Sequence, residues 1–352
     1  METKNDGARN QSEYDALLQT AGVLDLSRRS RLCVTGNDRV RFLHGQVTNH
    51  VKRLAAGQGC YAAIVTAKGK MESDVNIFNL ADEFLLDFEP GLAAAIARRL
   101  EKFIVADDVQ IVDVAAHYGL LSVQGPKAGE AVRGLGLFSE IPAARFDSVK
   151  ISDAVFGEIY LANHARLASG RELASGTAVM AGFDLFVPAD AIRPFTAELA
   201  AAAERCGGCQ CGPEAFETAR IERGIPRFGA DMTTDNLPQE CGIEDTAISY
   251  NKGCYIGQEV INRIHSIGRV QRRLCGLRLG AEPRKLPRAG DLLVAGGKEV
   301  GRVTSAAWSP ALRGIIALGC VRREANAVGT ALTVKSGGSD VPAMLVELPF
   351  AA

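Results

Sequence analysis

RLCVTGNDRVRFLHG (residues 31–45) and LLSVQGPKAGEAVRG (residues 120–134) carry the same pattern. Each reads as a short apolar strand, a V-x-G turn and then a helix. Asp38 suits an N-cap in the first copy, and Pro126 suits a first helical turn in the second. The pair is an internal repeat of a strand–turn–helix unit.

Strands are expected at Tyr61–Thr66, Ser73–Asn79 and Glu83–Asp87 after the first copy, and at Ile151–Ala162 and Phe183–Val187 after the second. In Gly91–Val105, the residues Leu92, Ile96, Leu100 and Phe103 fall near a 3.6-residue spacing, which predicts a helix. The Ala-rich stretch Ala191–Arg205 predicts another. Hairpins alternate with crossovers, which argues for two related α+β lobes rather than one doubly wound sheet. After about Arg272 the texture changes to short strands separated by Gly and Pro, the pattern of a small all-β barrel or sandwich. The expected division is a disordered polar tail over 1–13, lobes over 14–115 and 116–270, and a C-terminal β-barrel over 271–352.

Composition narrows the classes. The 352-residue chain is 47% hydrophobic and 23% charged, ordinary for a globular protein. A net charge of −1 supplies no general basic field, so sequence-specific nucleic-acid binding is not expected. No apolar run approaches the ~18 residues of a membrane span. Nine cysteines, an odd count without an export-type leader, predict reduced thiols in a cytoplasmic compartment.

Several segments can carry chemistry. The turns at Gly36 and Gly125 lack the full phosphate-loop patterns and read as ordinary tight turns. Cys206, Cys209 and Cys211 form a C-x-x-C-x-C cluster, the remaining candidate for a metal, but a fourth ligand is missing nearby. The five histidines are scattered and read as surface or capping residues. Glu72 and Asp74 open a strand, where an acid either serves as a general base or ends a solvated hairpin. Glu222 closes a helix that begins near Pro213. Its carboxylate either accepts adjacent N–H groups of a ring or pairs with Arg220, Arg223 or Arg227. In NKGCYIGQEVINRIH, residues 251–265, Gly253 permits a sharp turn and a helix follows from Gly257. Cys254 then precedes a helix N-terminus beside Lys252, a setting that lowers a thiol's pKa. A small buried residue filling the turn is the alternative.

KGCYIGQE, Lys252 to Glu259, resembles the signature of the YgfZ proteins, relatives of the glycine-cleavage T protein. The resemblance extends from about Tyr14 through FLHGQVTNHV (42–51), SVQGPKA (122–128), GFDLFVP (182–188), ARIERGIPRFGAD (219–231), QRRLCGLRL (271–279) and LVELPF (345–350). It implies a GcvT/YgfZ-like fold of two α+β lobes and a C-terminal barrel around a folate-binding opening, and tetrahydrofolate as cofactor. It further implies Glu222 at a pterin-binding position, Asp74 in the segment of the T protein's catalytic acid, and ligand contacts from Lys252, Tyr255, Gln258 and Arg263. The T protein has an Asp-Asp pair where this chain has Ser73-Asp74, and it lacks the cysteine signature. The resemblance therefore implies an accessory protein for iron–sulfur cluster assembly or repair, with Cys254 as its functional thiol and iron–sulfur client or assembly proteins as partners. A folate-dependent aminomethyltransferase or demethylase is the alternative.

Overall fold

The computed structural model describes residues 2–175, 180–280 and 285–350. Met1 of the expected tail and residues 281–284 and 351–352 of the expected barrel lie outside them.

The chain order is α1 (Glu2–Gln19), β1 (Gly22–Asp25), β2 (Ser30–Thr35), α2 (Arg39–Gln46), β3 (Gly59–Val65), β4 (Met71–Asn79), β5 (Phe84–Phe88), α3 (Ala93–Glu101), β6 (Gln110–Asp113), β7 (Tyr118–Gln124), α4 (Ala128–Arg133), β8 (Ser148–Asp153), β9 (Gly157–Asn163), α5 (Gly170–Ser175), β10 (Gly182–Pro188), α6 (Ile192–Arg205), β11 (Cys209–Gln210), α7 (Pro213–Glu222), α8 (Glu244–Ala247) and α9 (Gln258–Ser266). Six strands follow: β12 (Arg272–Leu279), β13 (Leu292–Ala295), β14 (Lys298–Ser309), β15 (Gly314–Arg322), β16 (Ala331–Ser336) and β17 (Ser339–Val346).

These form three bodies. One sheet runs β3-β4-β5-β2-β6 and carries α2 and α3 on its core of Leu32, Phe42, Ile77, Phe84 and Leu100. A second runs β11-β1-β7-β10-β9-β8 and carries α4 and α6 on Leu121, Val132, Leu161, Phe195 and Leu199. The last six strands close into a barrel in the order β12-β15-β14-β13-β16-β17. The two α+β lobes and the barrel are thus present as expected.

The repeat is real, and its glycines have a packing reason. Gly36 and Gly125 both hold positive φ, +97° and +123°. A Cβ there would sit 2.1 Å from the Asp108 carbonyl oxygen and 2.5 Å from that of Thr20. Only glycine lets those backbones pass so close. The facing carbonyls also explain why neither turn is an anion cradle. Asp38 does not cap α2 with its side chain; its carboxylate accepts the Asp108 N–H at 2.9 Å instead. Pro126 stands just outside α4, whose N-cap is Lys127.

The expected boundaries need correction. Residues 2–19 are not a tail but helix α1, whose last turns bury Tyr14, Ala16 and Leu17 against Cys211, Ala215 and Ala219. That apolar stripe is confined to the end of the helix, so the polar start conceals it. β1 leaves the first lobe altogether. It pairs antiparallel with β7 and parallel with β11 in the second sheet. Conversely, Phe228, Met232, Cys241, Ile243 and Ala247 pack on Ala63, Val65 and Met71 of the first lobe. The lobes are therefore interleaved in sequence rather than being 14–115 followed by 116–270. The expected single strand 151–162 is the hairpin β8–β9, broken at Gly157.

Aromatic rings and two arginines join the two sheets; Arg31 of β2 donates to the Tyr118 carbonyl of β7 at 2.7 Å. Phe78 of β4 meets Phe186 of β10 edge-on at 5.6 Å and Phe146 at 5.8 Å. Arg166 donates to Asp87 of β5 at 2.8 Å and to Asp184 of β10 at 2.6 Å.

Candidate functional site

Where lobes and barrel meet, a cavity of about 1040 Å³ opens. Its walls include Tyr61, Asp74 and Asn76 from the first sheet, Arg145, His164 and Arg166 from the second lobe, and Trp308 from the barrel. The volume is at the upper end for small-molecule sites.

Strand alternation on β4 sends Asp74 and Asn76 to the cavity and Ser73 away from it. Ser73 is fully buried and its hydroxyl donates to the Asp74 carbonyl at 2.6 Å. Asp74 Oδ2 accepts the Tyr61 hydroxyl at 2.9 Å, while Oδ1 is buried without any partner. Burial first, then the carboxylate of Glu89, raise Asp74 to about 6, against the pull of Arg29. Burial, together with Asp74, holds the Tyr61 phenol well above its ordinary range, so it remains a donor. A carboxyl near neutrality with one free, buried oxygen can accept an N–H or take up a proton.

Beside it the charges are fixed. Burial alone would raise Asp87, but the guanidiniums of Arg29 and Arg166 outweigh it and hold it far below the usual carboxylate range. His164 contacts Asp184 through Nδ1 at 2.7 Å, and burial lowers it to about 4, so it is a neutral wall residue rather than the surface or capping histidine expected.

The sequence-expected site residues do not converge. Asp74 lines the cavity. Glu222 does not: it is 1% exposed, Oε2 accepts the Tyr14 hydroxyl at 2.5 Å and Oε1 accepts Ser309 Oγ at 2.5 Å. It ties α1 and α7 to the barrel, with both oxygens occupied. Glu217, one and a half turns earlier on α7, faces the cavity but is held by Arg220. Glu72 pairs with Arg99 at 3.0 Å.

The motif KGCYIGQE lies against the first lobe, and none of Lys252, Cys254, Tyr255, Gln258 and Arg263 lines the cavity. Lys252 does not serve the thiol as its neighbour in sequence suggests. Its buried Nζ donates to the carbonyls of His44, Val47 and Asn49 at 2.7, 2.5 and 2.8 Å and lies 4.7 Å from the Tyr255 ring centroid. Burial lowers it to about 7, yet three acceptors at this distance favour the ammonium. Gln258 Nε2 reaches the Lys252 carbonyl at 3.5 Å, and Ile256 N–H donates to Gly45. The motif thus pins the end of α2, and Cys254 is left exposed at its surface.

Cys211 Sγ donates to the Glu13 carbonyl at 3.3 Å, and Cys209 sits beside it at the end of α1. Among the described residues no group of three or more His, Cys, Asp or Glu is placed to hold a metal ion. Nor is any described helix long and apolar enough to cross a membrane.

Sequence reasoning missed Tyr61, Arg145, His164 and Arg166. Tyr61 sits in a strand and Arg145 in a loop, without motif or periodicity to single them out.

Residues 4–252 match the model of the GCVT N-terminal domain, and residues 272–351 that of the glycine cleavage T-protein C-terminal barrel domain. The chain is 29% identical over 343 residues to a putative transferase, At1g60990, chloroplastic, of Arabidopsis thaliana, covering 96% of this chain and 73% of that protein. It is 30% identical over 343 residues to an aminomethyltransferase of Shouchella clausii, covering 96% and 88%. The crystal structure of glycine cleavage system aminomethyltransferase T from Bartonella henselae superposes with a TM-score of 0.83 at 22% identity, covering 97% of this chain and 89% of that one. With lobes and barrel both matched across nearly the whole length, the chain belongs to the glycine cleavage T-protein family.

Proposed function

We propose that this protein binds a reduced folate in the central cavity and takes part in folate-dependent one-carbon transfer, with Asp74 as the residue that handles a proton. The observation that carries this is Asp74, a residue of the cavity wall whose Oδ1 is buried and unpartnered. The donor set fits such a ligand: a free carboxylate oxygen for a ring or amine N–H, the polar Asn76 beside it, and Trp308 as an apolar wall. When bound, a reduced folate supplies the nitrogens that accept a one-carbon unit. Asp74, near 6, accepts a proton from a nitrogen and returns it. Tyr61 keeps the carboxylate aimed by bonding Oδ2, and Arg29 and Arg166 hold Asp87 charged behind it. Relatives named aminomethyltransferase support this reading. The test is a tetrahydrofolate titration and turnover with aminomethyl and methylamine donors, on the wild type and Asp74→Asn. Binding without turnover by any donor would remove the transferase reading; no binding would remove the folate reading.

A second reading rests on Cys254, exposed in KGCYIGQE and outside the cavity. It makes the protein a folate-binding accessory for iron–sulfur cluster assembly or repair. Full rescue of iron–sulfur enzyme activities by Cys254→Ala in cells lacking the wild-type copy would exclude a role for the thiol.

A further inference from the structure

Four arginines of the cavity wall are matched by acids. Arg29 meets Asp87 and Glu89, Arg166 meets Asp87 and Asp184, Arg220 meets Glu217 and Asp231, and Arg227 meets Glu89 and Glu217. Arg145 is not. Among the described residues Arg145 has no carboxylate within 4.0 Å, and its Nε is buried without an acceptor. Its titratable neighbours are the phenol of Tyr61 and the thiol of Cys60, both held protonated by burial.

Arg145 is nevertheless firmly placed. Its guanidinium lies over the Phe146 ring at 4.4 Å. Phe146 adopts φ +64°, a strained conformation for a bulky residue, and its N–H donates to Asn163 at 2.7 Å. Asn163 in turn holds the carbonyls of Pro142 and Ala143. Arg145 is half-buried, and a cation fixed and partly desolvated without a counter-ion favours the arrival of an anion. The same Tyr61 phenol bonds Asp74, whose Oδ1 is an acceptor lacking a donor. The two orphan groups are complementary to one kind of molecule.

We propose that Arg145 is the anion subsite of this cavity, taking a carboxylate of a ligand whose amine or N–H is held by Asp74. The ligand class is an amino-carboxylate. This rests on the folate reading of the cavity, because the carboxylate has two sources: the glutamyl tail of the folate, or the carboxylate of an amine donor bound next to it.

The experiment is calorimetric titration of wild type, Arg145→Met and Arg145→Lys with four probes: tetrahydrofolate, tetrahydropteroic acid amide (the aryl carboxamide, without a carboxylate), N,N-dimethylglycine and N,N-dimethylethylamine. Arg145→Met is expected to weaken the carboxylate-bearing probe at least about 10-fold, the loss of one charge-assisted pair, and leave its carboxylate-free counterpart unchanged. Arg145→Lys keeps the charge and recovers part of the loss. A loss confined to tetrahydrofolate against tetrahydropteroic acid amide identifies the tail. A loss confined to dimethylglycine against dimethylethylamine identifies the donor. Equal binding of every probe by wild type and Arg145→Met, or equal loss with and without the carboxylate, overturns the proposal. If the wild type fails to bind tetrahydrofolate, the folate reading falls while the dimethylglycine pair still decides Arg145; no binding of any probe overturns both. Unliganded Arg145→Met is also expected to melt higher, by up to a few degrees, because an unpaired, half-buried cation is gone. A fall in melting temperature for both variants marks Arg145 as a structural contact and overturns the proposal.

Discussion

Tyr61 and Asp74 share one hydrogen bond, and it leaves Asp74 half-satisfied: Oδ2 is held at 2.9 Å while Oδ1 has no partner. The pair sits on adjacent strands, β3 and β4, with Tyr61 registered opposite Asn76. Removing the phenol takes away a bond that favours the carboxylate, so Tyr61→Phe raises Asp74 further. The acid limb of the pH–rate profile is expected to move up by roughly half to one unit. An unmoved limb means that Asp74 does not control it.

Asp74 also sets a stability signature. Its folded value of about 6 lies above the ordinary 3.8, so its contribution to stability is fully present below about pH 4 and is lost as pH rises through about 6. Asp74→Asn, neutral at every pH, is expected to be more stable than the wild type above pH 6 by on the order of 2 kcal/mol, allowing for partial solvent screening. Thermal melts at pH 4 and pH 7.5 check this: the gain belongs to the higher pH only. Catalysis by the carboxylate runs the opposite way, rising through the same window.

Arg166→Met leaves Asp87 and Asp184 buried with one guanidinium fewer, across the seam between the sheets. A loss of about 3–5 kcal/mol is expected in chemical denaturation, as for breaking a buried pair. Because Asp87 is depressed, its stabilising effect is present above about pH 4 and lost as pH falls toward its low folded value. The variant's deficit should therefore shrink in acid.

Glu222→Ala separates the two roles available to that residue. Both oxygens bond Tyr14 and Ser309 inside the protein, so the variant is expected to lose stability, by about 2–4 kcal/mol for a buried hydrogen-bonded acid, with little change in tetrahydrofolate affinity. A large affinity loss with an unchanged melting temperature would restore the pterin-binding role expected from the motif.

Among the nine thiols Cys254 is the exposed one, and Cys33, Cys60, Cys211 and Cys241 are pushed up by burial. A thiol reagent is expected to modify Cys254 first, and Cys254→Ala to remove that fast phase without altering the melt. Persistence of the fast phase would move the reactive thiol elsewhere.

The fold was legible where local pattern and tertiary packing agree. The two V-x-G turns, the helix ending at Glu222 and the start of the all-β segment at Arg272 all stand near their sequence-read positions. α1 and β1 were not legible, because their partners, Cys211 to Ala219 and Gln210, lie far along the chain and only that contact makes them ordered. The site was legible in Asp74 alone. Glu222 and Lys252 look like ligand residues in sequence because they are charged and sit in motifs, yet each spends its charge inside the protein. Arg145 carries no motif; what distinguishes it is a buried Nε without an acceptor on a guanidinium without a counter-ion, which only three-dimensional placement reveals.

The placement of β1 has a consequence for how the molecule is made. During synthesis Gly22–Asp25 emerges early, but its neighbours in the second sheet follow in two instalments: β7 about 100 residues later and β11 nearly 190 later. The amino-terminal helix likewise waits for α7. Closing such distant pairings is entropically slow. Neither lobe can be cut out at a single pair of breakpoints, and a ribosome-bound fragment ending before Cys209 is expected to hold its first strand half-paired, a natural client for a chaperone.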